Sequence, residues 1–267
     1  MALFRKIAPQ GHFVPLSEWF LRYCHGGIMS EVQPAASRLL FFLERPHDCG
    51  YLPHRQSASL FADPRYPKDR RLQSFLSENG FRRSGEQLYR PHCRECRACE
   101  AVRIPVADFR PRRGQRRTWQ RNRDMETRVL APVFRQEHFR LYYRYIATRH
   151  PEGAMANPTP AQYREFLTAT WAETVFIEFR LAGRALAVAV VDRLDNGLSS
   201  VYTFFDPDYP ERGLGVYAIL WTIREARRLE LDWLYLGFWI ENSPKMHYKA
   251  EYRPQERLQE GQWVRYG

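Results

Sequence analysis

The chain has 267 residues, 44% of them hydrophobic and 15% aromatic, and a formal net charge of +11. Its mean hydropathy of -0.57 and pI near 9.6 exclude an integral membrane protein of the helical kind and favour polyanionic partners, nucleic acid being the commonest. No apolar run approaches the roughly 18–20 residues that span a bilayer. The start, MALFRKIAPQGHF, lacks an apolar signal core and a cleavage site, and five cysteines, three of them clustered, fit a reducing compartment better than a disulfide framework. A cytoplasmic protein of one or two domains, with no membrane partner, is expected.

Residues 1–36 show no strong periodicity and read as an N-terminal extension, in which Cys24 stands alone. Met29 precedes SEVQPAASRLLFFLERP, and the functional chain is expected to begin near it. Leu39–Leu43 predicts a short buried strand; PHDCGYLPHRQ, carrying Cys49, then turns through Pro46, Gly50 and Pro53. RRLQSFLSENGF predicts a short helix with Leu72, Phe75 and Leu76 on its apolar face and a stop at Gly80. FRRSGEQLYRP predicts a hairpin, so that 81–105 is expected to be a small sheet with a cysteine knuckle.

That knuckle holds Cys93, Cys96 and Cys99 in a CxxCxxC run. A C-x-x-C turn points both sulfurs inward, and Cys49 is placed to supply a fourth soft ligand for zinc or an iron–sulfur cluster. The other reading is buried thiols without a metal. Seven arginines follow (Arg110, Arg112, Arg113, Arg116, Arg117, Arg121 and Arg123), with no carboxylate between Asp108 and Asp124. Such a run, with Trp119 inside it, is the composition of a nucleic-acid or phosphate-binding surface.

Beyond the arginines the texture changes. Phe134–Arg149 places Phe139, Tyr142, Tyr145 and Ile146 on one helical face, and Thr159–Trp171 does so with Tyr163, Phe166, Leu167 and Trp171. TVFIEFRL (174–181) alternates as a strand, with Val175, Ile177, Phe179 and Leu181 facing one way. Ala185–Val191 and Ser199–Phe205 follow as strands across the Asp195-Asn196-Gly197 turn. Leu214–Leu229 is an amphipathic helix, and Trp233–Phe238 a last strand. This order is that of the acetyltransferase-like (GNAT) core. The fold class expected is α+β, with a cysteine-containing unit over 37–125 and a GNAT-like transferase domain over 126–267.

Three places carry chemistry in such a frame. Gly213-Leu214-Gly215 opens a helix, where free N–H groups favour an anion, although a glycine pair is more often a plain turn. Asp206 ends the third strand of the series, as a cleft carboxylate or an Asx-type turn before Pro207. Lys245-Met246-His247-Tyr248-Lys249 follows the last strand, as a substrate loop or a solvated one. In a GNAT-like sheet those two strand ends lie side by side and splay apart, so a carboxylate, a tyrosine and two lysines converge on one cleft. Residues alone leave open a CoA-dependent N-acetyltransferase and a non-catalytic nucleic-acid-binding module.

PHDCGYLPHRQSASLFADP, GFRRSGEQLYRPHCRECRACEAVRIPVADFRPRRGQRR, VYTFFDPDY and PKMHYKAEYRP, in that order, resemble the aminoacyl-tRNA–protein transferases of the N-degron pathway, over roughly residues 39–264. The bacterial, leucine-transferring branch looks nearest. The resemblance implies transfer of leucine from Leu-tRNA to the N-terminal Asp or Glu of acceptor proteins, marking them for degradation, or the same reaction with arginine from Arg-tRNA. It implies no cofactor for the transfer, since an aminoacyl ester is already activated. The expected catalytic residues are Asp206, Tyr248 and Lys249; the substrate-binding ones are Arg55, Arg90, Tyr202, Lys245 and Met246. Arg112, Arg113, Arg116, Arg117, Arg121 and Arg123 are assigned to the tRNA backbone. The arginyl branch carries a CxxC where this chain has Cys49-Gly50-Tyr51-Leu52, which puts in doubt an iron–sulfur cluster carried over from that branch.

Overall fold

The computed structural model describes residues 38–149, 151 and 156–267. The expected start near Met29 and the reading of Cys24 lie outside the described residues. The first strand, β1 (Phe41–Leu43), is followed by a two-stranded ribbon, β2 (His47–Asp48) with β3 (Gln56–Ser57), around the Cys49 turn. Then come β4 (Ser59–Ala62), helix α1 (Arg70–Glu78), β5 (Arg82–Ser84) and β6 (Gln87–Pro91). Four of these strands form a small antiparallel sheet in the order β1-β4-β6-β5, over a core of Leu39, Phe41, Leu60, Leu76, Phe81 and Leu88.

Helix α1 starts where the Asp69 carboxylate accepts from Leu72 N at 2.8 Å, and it stops before Gly80, whose φ of 79° suits a residue without a Cβ. Its buried side is not the expected one. Leu76 is in the core, but Phe75 is turned to solvent and Gln73 is buried instead. A polar residue wins that place because its amide donates to Asp192 of the large sheet at 2.7 Å.

The large sheet is built from β7 (Glu100–Pro105), β8 (Glu126–Leu130), β9 (Thr174–Leu181), β10 (Arg184–Arg193), β11 (Gly197–Phe205), β12 (Trp233–Trp239), β13 (Gln255–Gln259) and β14 (Gln262–Tyr266). Their order is β14-β13-β7-β12-β11-β10-β9-β8. β7 was expected in the small sheet; it lies instead between β12 and β13, so the large sheet takes a strand from before residue 125. Helices α2 (Arg113–Arg121), α3 (Gln136–Arg149), α4 (Pro160–Leu167) and α5 (Leu214–Arg228) complete the fold.

Both faces of the sheet are covered, which the alternation in β9 anticipates only in part. Ile177 and Phe179 join the α5 side with Leu214, Ala218 and Ile223. Phe176 faces the other side, with Tyr142 and Ile146 of α3 and Tyr163 and Leu167 of α4. Trp171 falls beyond the end of α4 and packs toward the small sheet, its indole donating to Glu86 O at 3.3 Å.

The two sheets are pinned by one buried ion pair. Arg83 on β5 and Asp192 on β10 both have fully buried side chains, 2.6 Å apart. Asp192 also accepts from Thr174 Oγ1 at 2.7 Å and from Gln73, while Arg83 donates to Leu167 O and Gly85 O, each at 3.2 Å. Removing one member of such a pair strands the other charge in a low-dielectric interior. Asp192→Ala should therefore lower unfolding free energy by about 3–5 kcal/mol in urea titrations; a loss below about 1 kcal/mol would show that the pin is dispensable.

Candidate active site

The central pair of the sheet opens into a V. β11 and β12 are its parallel neighbours, and they pair only at their first residues, Gly197–Ser199 against Trp233–Tyr235. Beyond these residues the strands diverge, as the sequence led one to expect. Asp206 stands at the end of β11; Glu241–Glu251 returns from the end of β12 as a turn that ends in the 3₁₀ segment His247–Glu251.

The KMHYK side chains divide between solvent and interior. Lys245 and His247 are exposed, and Tyr248 keeps 46% of its surface open. Lys249 is only 3% exposed; its Nζ donates to Phe238 O on β12 and lies 3.3 Å from Met246 Sδ. Burial first, and the Arg82 charge second, hold the Lys249 amine well below the usual lysine range, with Cys99 opposing. Burial likewise raises the Tyr248 hydroxyl, partly offset by Arg82, so this phenol stays protonated across the neutral range.

Asp206 is fully buried and already partnered. Arg144 of α3 donates to it at 2.8 and 3.1 Å, Arg184 at 2.6 Å, and Asp208 N at 3.1 Å. Its carboxylate thus ties α3 to the ends of β10 and β11. Tyr202, also on β11, packs edge-on against Phe166 with ring centroids 5.1 Å apart, and its buried hydroxyl has no hydrogen-bond partner among the described residues. Arg55 is exposed on the Cys49 loop. Arg90 lies over the Phe81 ring at 5.1 Å and donates to Asn79 O at 3.2 Å.

The arginine segment forms α2 and its flanks. The Gln115 side chain accepts from Arg112 N at 2.8 Å at the helix start and donates to Glu251 O at 3.2 Å, joining α2 to the 3₁₀ segment. Buried Asn122 donates to Thr118 O and Arg212 O at the other end. Arg112, Arg113, Arg116, Arg117, Arg121 and Arg123 are all exposed, and only Arg112 among them has an ion pair in the described residues, with Glu251 at 2.9 Å. Trp119 does not face a ligand; it packs on Tyr217 of α5 at 5.2 Å under the Arg224 guanidinium. It anchors the basic helix.

A cleft of about 460 Å³ is lined by Gly114, Arg117 and Arg121 of the basic segment together with Tyr248 and Glu251. A second, of about 570 Å³, runs along the other side of Tyr248, between Glu241, Pro244 and His247. Tyr248 borders both. The glycines before α5 have packing reasons: a Cβ on Gly215 would sit 3.1 Å from the Phe205 ring, and one on Gly213 3.3 Å from Thr118.

No group of three or more His, Cys, Asp or Glu is arranged to hold a metal ion among the described residues. Cys93, Cys96, Cys99 and Cys49 are neighbours: Cys99 is pushed up to about 12 by burial first, then by the charges of Cys93, Cys49 and Cys96. Two of the sulfurs have backbone partners, Cys93 donating to Ala58 O at 3.7 Å and Cys49 accepting from Leu52 N at 3.5 Å.

Sequence reading missed Arg82. From β5 of the small sheet it reaches into the V, donating to Val201 O and, at 3.3 Å, to Ser200 O of β11. On β12 a Cβ at Gly237 would overlap its Nη1. A glycine in the middle of WLYLGFW was the available signal, since glycine in a strand marks a close approach.

Profiles for the two halves of one family match this chain: arginine-tRNA-protein transferase, N terminus, over residues 47–117, and C terminus, over 137–259. The chain belongs to the arginine-tRNA-protein transferase family. It is an aminoacyltransferase with a GNAT-like sheet. An aspartate/glutamate leucyltransferase of Pseudomonas fluorescens (strain Pf0-1) is 52% identical over 228 residues, 85% of this chain and 97% of that one. The enzyme of that name from Pseudomonas aeruginosa (strain LESB58) matches at 52% over the same shares. Among solved structures, the L-PGS of Bacillus licheniformis is similar at a TM-score of 0.43 and 12% identity, over 54% of this chain and 47% of that one.

The site also makes a stability prediction. Replacing Asp206 by Asn removes the anion that Arg144 and Arg184 share, but both arginines are solvent-accessible and Arg144 keeps Asp208 at 2.6 Å, so the cost in urea unfolding should be about 1 kcal/mol. An unchanged midpoint would show that the Asp206 carboxylate bears no load between α3 and β10.

Proposed function

We propose that this protein transfers leucine from Leu-tRNA to the N-terminal Asp or Glu of acceptor proteins in the cytoplasm, marking them for degradation. The observation that carries the reading is the cleft shared by Arg117, Arg121 and Tyr248. A polyanion held along α2 would deliver its 3′ end beside a tyrosine hydroxyl and a buried amine. Membership in the family and the 52% identity to aspartate/glutamate leucyltransferases support the donor and the acceptors. The reading also divides the chain into an extension (1–36), a cysteine-containing unit (37–125) and the transferase domain (126–267), with β7 and α2 lent by the second to the third.

The ester needs no further activation. The acceptor α-amine, with a free pKa near 7.7–8.0, must lose a proton and meet the carbonyl carbon in line. In this proposal the neutral Lys249 Nζ takes that proton. The nitrogen bonds to the carbonyl carbon, the Tyr248 hydroxyl donates to the oxygen as it gains charge, and the ribose oxygen departs with its bond pair and takes the proton back from Lys249. Asp206 acts by position, holding the end of β11. Lys245 and Met246, on the same turn, and Arg55 and Arg90, on the small-sheet side, remain proposed substrate contacts. No step is routed through the cysteines.

Arginine from Arg-tRNA is the second reading, favoured by Glu241 and Glu251 on the wider cleft, two carboxylates suited to a cationic side chain. The deciding assay offers labelled leucine or arginine on tRNA to peptides beginning with Asp, Glu or Ala. Leucine moving to the Asp and Glu peptides alone is expected. Arginine in its place would overturn the donor, and transfer of neither would overturn the reading.

Two variants test the parts. Arg117→Glu with Arg121→Glu should weaken Leu-tRNA binding and flatten the dependence of log K on log salt by roughly 1.5–2 units, read by filter binding across a salt series. Lys249→Ala should cut kcat by about 100-fold with the Leu-tRNA Kd unchanged. Because the Lys249 pKa is lowered, its neutral form is present above that pKa, and the wild-type rate should fall as pH drops through it. In Lys249→Ala that limb should disappear, leaving only the titration of the acceptor amine.

A further inference from the structure

Two adjacent arginines on β5 have opposite surroundings. Arg83 points into the join between the sheets and meets the Asp192 carboxylate as a fork, at 2.6 and 2.8 Å. Arg82 points the other way, into the V between β11 and β12, where the partners among the described residues are backbone carbonyls only, Ser200 O and Val201 O, both on Nη2. Its Nη1 and Nε are used by no hydrogen bond in the described residues, and it takes part in no ion pair there. Nearby half-buried arginines are treated otherwise: Arg103 has Glu256 at 2.7 Å and Arg257 has Glu100 at 3.6 Å. A guanidinium drawn from water without a carboxylate is costly, and the missing counter-ion is the kind of group that a ligand supplies.

The surroundings of Arg82 add to this. Its charge acts on Tyr51, Tyr89, Tyr202 and Tyr248 and on Lys249, so it stands among the groups of the proposed active site. The buried Tyr202 hydroxyl, without a partner among the described residues, belongs to the same set. Tyr202 sits on β11 next to Val201, whose carbonyl Arg82 holds. A planar fork and a phenol O–H beside it are the donors that bind one carboxylate at both oxygens. A tRNA phosphate is the other anion at hand, but the exposed arginines of α2 already line the outer cleft for it, whereas Arg82 lies at the strand fork.

We infer that Arg82, with the Tyr202 hydroxyl, binds the side-chain carboxylate of the acceptor's N-terminal Asp or Glu, and so determines acceptor specificity. This rests on the transferase reading given above. It explains why the small sheet is pinned so firmly to the large one, since the specificity residue is carried by one and the reaction by the other. Lys249, buried and donating to Phe238 O, is then free of the carboxylate and serves the amine.

The test compares leucine transfer to peptides beginning with Asp and with Asn, which differ by the charge alone, for the native protein and for Arg82→Gln. The native protein should prefer Asp strongly. In Arg82→Gln, kcat/KM for the Asp peptide should fall by about 100-fold, mostly through KM, while the Asn peptide changes by no more than a few-fold and the Leu-tRNA Kd stays the same. Tyr202→Phe should shift the same ratio by a smaller factor. An unchanged Asp-to-Asn ratio in Arg82→Gln would overturn the inference, as would lost Leu-tRNA affinity with the ratio intact, which would make Arg82 a phosphate contact. An inactive native protein would instead strike the transferase reading itself. Phenylglyoxal labelling of the native protein needs no folded variant: Asp-starting peptide, and not its Asn counterpart, should protect Arg82 as read by mass spectrometry. Equal protection by both, or by neither, counts against the inference.

Discussion

The Arg83–Asp192 pair is the constraint on which the rest of the arrangement depends. Buried charges of this kind contribute little net stability, because desolvation offsets most of their attraction. What they supply is alternative-free geometry: with Arg83 fixed, the pleat of β5 sends the preceding residue to the opposite face. Gln73, Thr174 and the Leu167 carbonyl complete the cage, so α1, β9, β10 and the end of α4 meet at one point. The placement of Arg82 in the strand fork is the far end of that same lever.

The reaction site is likewise a product of joins. The V between β11 and β12 comes from parallel strands that part after their first residues. One wall of the outer cleft is α2, which follows β7 and is stapled to the 3₁₀ segment by Gln115 and to the turn before α5 by Asn122. The basic surface and the reacting groups thus have a fixed separation, set by hydrogen bonds of buried side chains. An enzyme whose substrate arrives pre-activated needs little more than this, since positioning supplies most of the rate.

Much of this was legible in the sequence, for identifiable reasons. Helices α3 and α5 and strands β9–β12 announce themselves through periodicity, because burial imposes it. The exposed arginines of α2 could be assigned to a surface because no carboxylate interrupts them. The failures have one common cause: a linear pattern does not say which partner claims a polar group. Asp206 reads as a cleft carboxylate or an Asx-type turn; the turn bond from Asp208 N is there, and so are two arginines from distant segments that the pattern does not announce. Trp119 reads as part of the basic surface, and it packs on Tyr217. Arg82 and Arg83 look alike on paper and have opposite fates, decided by which side of a three-residue strand each occupies.

Gly237 also sets a rule for how this chain can drift. A side chain there would push the Arg82 guanidinium out of its present place, although the two residues sit in different sheets. A chain that gains a Cβ at 237 has to redirect or shorten residue 82. The two positions are therefore coupled in what they accept. A relative found with a larger residue at 237 would be expected to lack arginine at 82 and to choose its acceptors by other means.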